Sequence, residues 1–509
     1  MISDLLAKGA DDPSKPIRGG GPESRERQRD WGFTAAAFVL ALIPRLYVAI
    51  AWAREPVWDG HYYDFGAKRI AQGLGYSDDV VVAGRTVWHP WCHYPVGYSG
   101  FLGLVYKVFG QGPHVATVAN AVVGALLVAV VHRLARRGTT TNRARVATAL
   151  AAFSPGLVVY SALLMTEPLA AFGMVAAAWV FPPSEEVAAR PWARRTWARV
   201  LGAGAAIGAT ALVRPQSLLC LPALALLAWP RAEGGGARAR FARLVTAARP
   251  VAVATATALL VVAPWTARNC RVMDGCALVS TNAGWNLAIG AFPRATGRFE
   301  TLRASDGCPI VTGQVQQDSC WRDEGLRWIE NEPLRWLGLV PKKLGFTFDH
   351  ESFPMGYLGE ADPGAWPEAR KATGRDVLSG AHRALLLLAA LGLVGAPWAR
   401  GLRPSARALE AGLALVVIAL GLRGLFADEH PAWPLAVIIP ALALVPRPGA
   451  PRNGGVIGYL AFAVASVAVT HAVFFGEDRY HMVVTPMLCL LAAGALRKSR
   501  LGDGIVSPV

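Results

Sequence analysis

Charge is scarce in this sequence. Asp, Glu, Lys and Arg make up 17% of 509 residues, and of the 51 basic residues only eight are lysine. Apolar residues fill 53% of the chain and recur in runs of about 16 to 24 residues, many of them apolar all round. A soluble protein of this length would divide into domains with amphipathic helices, so that class is excluded. Paired C-x2-C spacing is absent, which excludes a cysteine zinc centre. No internal repeat is visible, as the halves of many transporters would show. The net charge of +16 would suit nucleic acid, but the arginines sit in alternate loops, where they mark topology instead.

What is there reads as an all-α polytopic membrane protein with about 12 transmembrane helices. The expected crossings are 31–53, 113–132, 144–163, 167–181, 200–213, 216–230, 250–267, 382–399, 407–425, 431–446, 455–474 and 482–496. Arginine-rich loops such as "HRLARRGTTTNRAR" and "RPWARRTWAR" fall on one side, which the positive-inside rule makes cytoplasmic. The expected organisation is a disordered cytoplasmic arm (1–30), an N-terminal membrane module (31–267), an extracytoplasmic domain of mixed structure (268–380), a C-terminal membrane module (381–497) and a short cytoplasmic tail (498–509). No cleavable signal peptide is expected, because the first apolar run begins late and is long.

Two outer segments break the pattern of crossings. In the first loop, 54–112, "DGHYYDFGAKRIAQ" predicts a helix from Asp59 to about Gln72, and "YPVGYSGFLGLVYKVFG" a second that is too short to span; both are expected to lie at the interface. The second, 268–380, is turn-rich with short strand-like pieces and then a Trp-rich amphipathic helix. It holds four of the seven cysteines, Cys270, Cys276, Cys308 and Cys320, which allow three disulfide pairings.

Cations at the outer boundary need an explanation, because topology disfavours them. Arg45, Arg214, Arg268, Lys342, Lys343 and Arg479 are expected there. Each alone could snorkel toward headgroups, but as a set they suit an anionic lipid headgroup such as a phosphate or pyrophosphate. Asp59 and Glu167 follow the same logic beside a capping alternative for each. Two carboxylates on one outer face either deprotonate a hydroxyl or hold a divalent cation such as magnesium or manganese. The aromatic and imidazole groups Tyr62, Tyr63, His93 and Tyr480 complete the candidate substrate-binding set. In "HPWCH" the intervening Pro90 argues against a helical two-histidine metal face.

The order of "WDGHYYDFGAKRIAQGLGYS", "HYPVGYSGFLGLVYKVFG", "SPGLVVYSALLMTEPLAAF", "ALVRPQSLL", "APWTARNCRVMDGCALVSTNAGWNLAIGAFPRATG", "PLRWLGLVPKKLGF" and "HAVFFGEDRYHMVVTPML" resembles the glycosyltransferase family 39 type enzymes of the GT-C superfamily. These include protein O-mannosyltransferases and the lipid A aminoarabinose transferase. The resemblance implies a GT-C fold in a bacterial inner membrane, with the active site facing outward. It implies transfer of a sugar, with inversion, from a polyprenyl-phosphate carrier to a lipid, glycan or protein acceptor. On it, Asp59 takes the base or base-orienting role, Glu167 matches the acidic position before the fourth crossing, and Arg268, Lys343 and Arg479 lie near the donor phosphate. The Asp-Glu pair of the eukaryotic-type enzymes is Asp59-Gly60 here, which counts against a protein acceptor. The rival reading is a transporter or flippase of a lipid-linked sugar; no reading involves nucleic acid.

Overall fold

The computed structural model describes residues 22–189, 193–229, 236–309, 313–397, 401–447 and 455–495. The arm expected over 1–30 lies outside them up to residue 21, and 22–30 already belong to α1 (Pro22–Ala51). The expected tail, 498–509, also lies outside the described residues.

After α1 the chain forms α2 (Asp59–Ala71), with Asp59 in its first turn and Lys68 and Arg69 in its last, charges that suit the helix dipole at each end. A hairpin follows, β1 (Ser77–Val82) paired antiparallel with β2 (Arg85–Pro90). Its two-residue turn holds Ala83 and Gly84 at φ 51° and 78°, the left-handed region that matches strand twist. Arg69 fastens the hairpin to α2 by two bonds to the Asp79 carboxylate, 2.6 and 3.0 Å. These are the only strands among the described residues. The strand-like pieces expected within 268–380 are turns and short helices instead, and the sheet belongs to the first loop.

Next come α3 (Val96–Phe109), α4 (Pro113–Gly138), α5 (Thr141–Phe153) and α6 (Pro155–Val159), the last continued by a 3-10 turn to Ala162. The α5 and α6 segments form one apolar unit bent by 52°. Pro155 supplies no backbone donor and pushes Ser154 out of the helical region, so carbonyls at the end of α5 lose their partners. Arg45, buried in α1, takes them over: its guanidinium donates to Ala151 O (3.0 Å) and Ala152 O (2.7 Å) as well as to Ala41 O. The charge expected at a phosphate is thus used to satisfy backbone inside the bundle, where no water can do so.

The chain continues as α7 (Glu167–Val180), α8 (Ser184–Ala189), α9 (Arg194–Val213), a 3-10 turn (Pro215–Cys220), α10 (Leu224–Ala228) and α11 (Ala237–Val272). A lobe of short helices follows: α12 (Ala283–Ile289), α13 (Gln314–Asn331), α14 (Pro333–Gly338), α15 (Val340–Phe348) and α16 (Phe353–Ala361). Disulfides Cys270–Cys276 and Cys308–Cys320 staple it, one of the three pairings open to the sequence. The last helices are α17 (Glu368–Leu393), α18 (Pro404–Phe426), α19 (Trp433–Leu444), α20 (Gly455–Val473) and α21 (Thr485–Ala492). The lobe therefore runs from 273 to 367, because α11 and α17 overrun the expected limits of 268–380.

Among the described residues, seven helices are long and apolar enough to cross a membrane, eight with the bent pair, and five shorter apolar helices accompany them. This is a multi-pass helical membrane protein. All twelve expected crossings overlap one of these thirteen apolar elements, the 216–230 crossing with the short, partly 3-10 segment Pro215–Ala228; the thirteenth is Val96–Phe109, in the loop expected at the interface.

Between lipid-exposed helices no hydrophobic force drives association, so close packing of small residues must. On α9, Gly204 and Gly208 face α11, and a Cβ on either would meet backbone: Ala254 O at 2.4 Å and Ala258 O at 2.6 Å. A backbone cannot rotate away as a side chain can. Replacing Gly204 or Gly208 by Ala should therefore cost about 1–3 kcal/mol each, read as a lower thermal midpoint in detergent; an unchanged midpoint would show that α9 and α11 are not packed this closely.

Candidate functional site

One cavity of about 930 Å³ opens where the first loop, the lobe and the helix ends meet. Asp59 reaches it from the first turn of α2, Tyr63 one helical turn later, and His93 and Tyr94 from the segment that leads from the hairpin into α3. Glu167 enters from the first turn of α7. There the chain is unwound between α6 and α7, and Asn120 holds that gap by donating to Leu163 O (2.8 Å) while accepting from Tyr98 (3.0 Å). Arg214 follows the end of α9, His471 closes α20, and Arg479 and Tyr480 lie on the turn before α21. Trp285 of α12 and Gln317 and Asp318 of α13 form the lobe's side of the wall.

The carboxylates are held by arginines. Asp59 accepts from Arg479 at 2.5 Å and from the Tyr94 hydroxyl at 3.0 Å. Arg479 also meets Glu477 at 2.6 Å, so one guanidinium bridges two acids. Glu167, 1% exposed, accepts from Arg214 at 2.5 Å, and Arg214 donates further to Thr166 (3.0 Å). Tyr480 stands between the two cations, its ring 5.3 Å from the Arg214 guanidinium and 5.2 Å from that of Arg479, with His471 stacked on it at 4.0 Å. Arg214 Nε and His471 Nε2 remain buried without a partner.

Protonation follows from these pairs. Burial pushes the Asp59 carboxyl up, but the Arg479 charge and the bonds from Arg479 and Tyr94 outweigh it, and the group is held below the usual carboxylate range. Burial raises Glu477, with Arg479 only partly opposing. Burial alone would discharge Arg479; Glu477 and Asp59 keep it charged. Burial pulls the His93 imidazole below its ordinary value, against the pull of Asp59.

Of the residues read from the sequence, Asp59, Tyr63, His93, Glu167, Arg214, Arg479 and Tyr480 line this cavity. Arg45, Tyr62, Arg268, Lys342 and Lys343 do not. Tyr62 is 44% exposed and stacks on the outer side of Tyr94. Arg268 donates to Trp91 O and Tyr76 O, tying the hairpin region to α11. Lys342 is exposed. Lys343 is fully buried and donates to Val473 O (3.1 Å) at the end of α20, over the Trp336 ring. Sequence reasoning missed Tyr94, Thr166, Glu477, His471, Trp285 and Gln317. Only Glu477, two residues before Arg479 in "GEDRY", carried a signal of its own.

Comparison with known proteins adds a partial family match. Residues 93–267 match the family described as dolichyl-phosphate-mannose-protein mannosyltransferase. The match covers about a third of the chain, holds Glu167 and Arg214, and agrees with the resemblance read from the motifs. No curated protein matches the sequence. Among solved structures, the oligosaccharyltransferase AglB of Archaeoglobus fulgidus, in complex with an inhibitory peptide and a dolichol-phosphate, is similar at TM-score 0.44 and 13% identity over 91% of this chain and 50% of its own. ArnT from Cupriavidus metallidurans, bound to undecaprenyl phosphate, is similar at TM-score 0.35 and 16% identity over 91% of this chain and 77% of its own. The chain spans about half the length of the oligosaccharyltransferase.

Lys343 yields a pH prediction. Burial, with Arg335 nearby, brings its ammonium down to about 7, whereas the unfolded chain keeps the ordinary 10.5. Between those values the unfolded chain binds the extra proton, so folded stability rises with pH from about 7 to 10.5 and gains nothing below 7. The thermal midpoint of the protein minus that of Lys343→Met should climb across that window. A flat difference would mean that Lys343 stays charged when folded.

Proposed function

We propose that the protein is a membrane glycosyltransferase that moves a sugar from a polyprenyl-phosphate carrier to an acceptor on the extracytoplasmic side. The observation that carries this reading is the single cavity in which both acids, Asp59 and Glu167, face paired arginines at one end of the bundle. The family match, to enzymes described by a dolichyl-phosphate-mannose donor, supports it.

A prenyl chain stays in the bilayer and brings its phosphate only as far as the interface, so the chemistry must sit where membrane helices end. Arg214 and Arg479 are the cavity's cations for that phosphate, whose charge grows as the glycosidic bond breaks. Arg214 Nε already lacks a protein partner, and an incoming phosphate competes with Asp59 and Glu477 for Arg479. Each step the phosphate gains on Arg479 loosens its hold on Asp59, which becomes more basic as the acceptor hydroxyl must lose its proton. Tyr94 keeps the carboxylate aimed during that exchange. Inversion follows if base and phosphate lie on opposite faces of the sugar, an in-line arrangement. Glu167 acts here by holding Arg214. No step of this scheme requires a divalent cation.

The transport reading calls for broken helices, and the bent pair 141–162 is one. Its freed carbonyls are taken by Arg45, however, and offer no ion site. The deciding experiment is Asp59→Asn in reconstituted vesicles supplied with polyprenyl-phosphate sugars. Transfer should fall by about 10²–10⁴-fold, the usual share of a general base, in protein that still folds with a lowered thermal midpoint, because Glu477 keeps a carboxylate beside Arg479. Undiminished transfer would remove Asp59 from the mechanism.

A further inference from the structure

A second polar cluster lies behind the cavity wall and plays no part in the scheme above. Glu351, His382 and His481 are 3%, 2% and 0% exposed. Each imidazole spends one nitrogen on a backbone carbonyl: His481 Nδ1 lies 2.8 Å from Thr347 O, and His382 Nε2 3.0 Å from Phe348 O. A carbonyl only accepts, so those nitrogens carry the protons. In the neutral rings the inward nitrogens, Nε2 of His481 and Nδ1 of His382, are then lone pairs. The rings stack at 3.8 Å, and Glu351 Oε2 lies 3.5 Å from His481 Nε2.

The cluster is short of positive charge. Glu351 Oε1 and His382 Nδ1 have no partner at all, each in a residue at least nine-tenths buried. A single extra proton would satisfy the contact between His481 and Glu351 and leave His382 Nδ1 orphaned, a costly outcome away from water. One ligand atom from each of the three residues lies within 4.8 Å of the other two. Space has been kept for the carboxylate as well: a Cβ on Gly156 would fall 1.8 Å from Glu351 Oε1.

We propose that Glu351, His382 and His481 bind a divalent transition metal of the zinc class. Two imidazoles and a carboxylate suit zinc, whereas magnesium and calcium prefer all-oxygen sets. Tetrahedral zinc with ~2.1 Å bonds needs donors roughly 3.4 Å apart, so the cluster closes by up to about 1.4 Å around it. The carbonyls of Thr347 and Phe348 are the outer partners that fix tautomer and ring orientation at such centres. The site is structural. It joins α17, the turn after α15 and the 3-10 turn Tyr480–Val483, which directly follows Arg479, so the metal would hold the cavity's bridging cation in place.

The test uses the full chain in detergent, without a histidine tag, loaded with Co²⁺ as a spectroscopic probe. One Co²⁺ should bind per chain with the visible bands of four-coordinate cobalt, Zn²⁺ should displace it, and Zn²⁺ should raise the thermal midpoint while a chelator lowers it. His382→Asn and Glu351→Gln should each weaken binding more than about 100-fold, beyond the loss typical of an outer partner. Gly156→Ala should weaken it through the carboxylate. If the unaltered protein takes up no stoichiometric Co²⁺ and its midpoint ignores Zn²⁺, the proposal is overturned, whether or not the variants fold. An unchanged Co²⁺ spectrum and affinity in His382→Asn would also overturn it, placing the ion elsewhere.

Discussion

Asp59 and Arg479 are 420 residues apart in the chain and 2.5 Å apart in the fold. Burying either charge alone would cost several kcal/mol, and together they are tolerated because each satisfies the other. The pairing therefore acts as a closure condition. The first loop and the turn before the last helix must meet, and everything between them has to be arranged so that they do. The helix gap before Glu167 and the end of α9 with Arg214 repeat the device with a second pair. The Tyr480 ring lies close to both guanidiniums, 5.3 and 5.2 Å from them, and its π electrons favour both charges.

This dependence explains why the fold was more legible than the site. Long apolar runs report their own solvent, so α4, α18 and α20 could be placed to within a few residues, and Asp59 announced the start of α2. The hairpin at 77–90 was not visible. Its turn relies on Ala83 in a left-handed conformation that alanine seldom adopts, and β2 is mostly exposed, which blurs the alternation that would reveal a strand.

The cations show a different limit. A buried arginine in a membrane protein needs acceptors, and sequence does not say whether they will be carboxylates, carbonyls or a ligand's phosphate. Arg214 and Arg479 found carboxylates. Arg45 and Arg268 found carbonyls, as did Lys343, and the helix break, loop and helix end that present those carbonyls were themselves only partly foreseen. Pro155 is the instructive case. It was on view in "SPGLVVYSALL", and a proline there implies orphaned carbonyls one turn earlier, which in turn implies a donor nearby. The first-helix arginine was the available donor at that depth.

In the proposed reaction, charge balance in the cavity would set the order of events. With Arg479 shared between Asp59 and Glu477, and Arg214 given to Glu167, the empty site is neutralised from within and holds no free positive potential to attract every passing anion. A ligand phosphate must displace carboxylates rather than fill a vacancy, so binding is worth little unless the sugar and lipid add contacts of their own. The same exchange would couple the two ends of the proposed reaction, since a carboxylate released from its arginine is the stronger base. A cavity with unpaired arginines would bind phosphate more tightly in the ground state and would lose that coupling, because its base would gain nothing when charge built up on the leaving group.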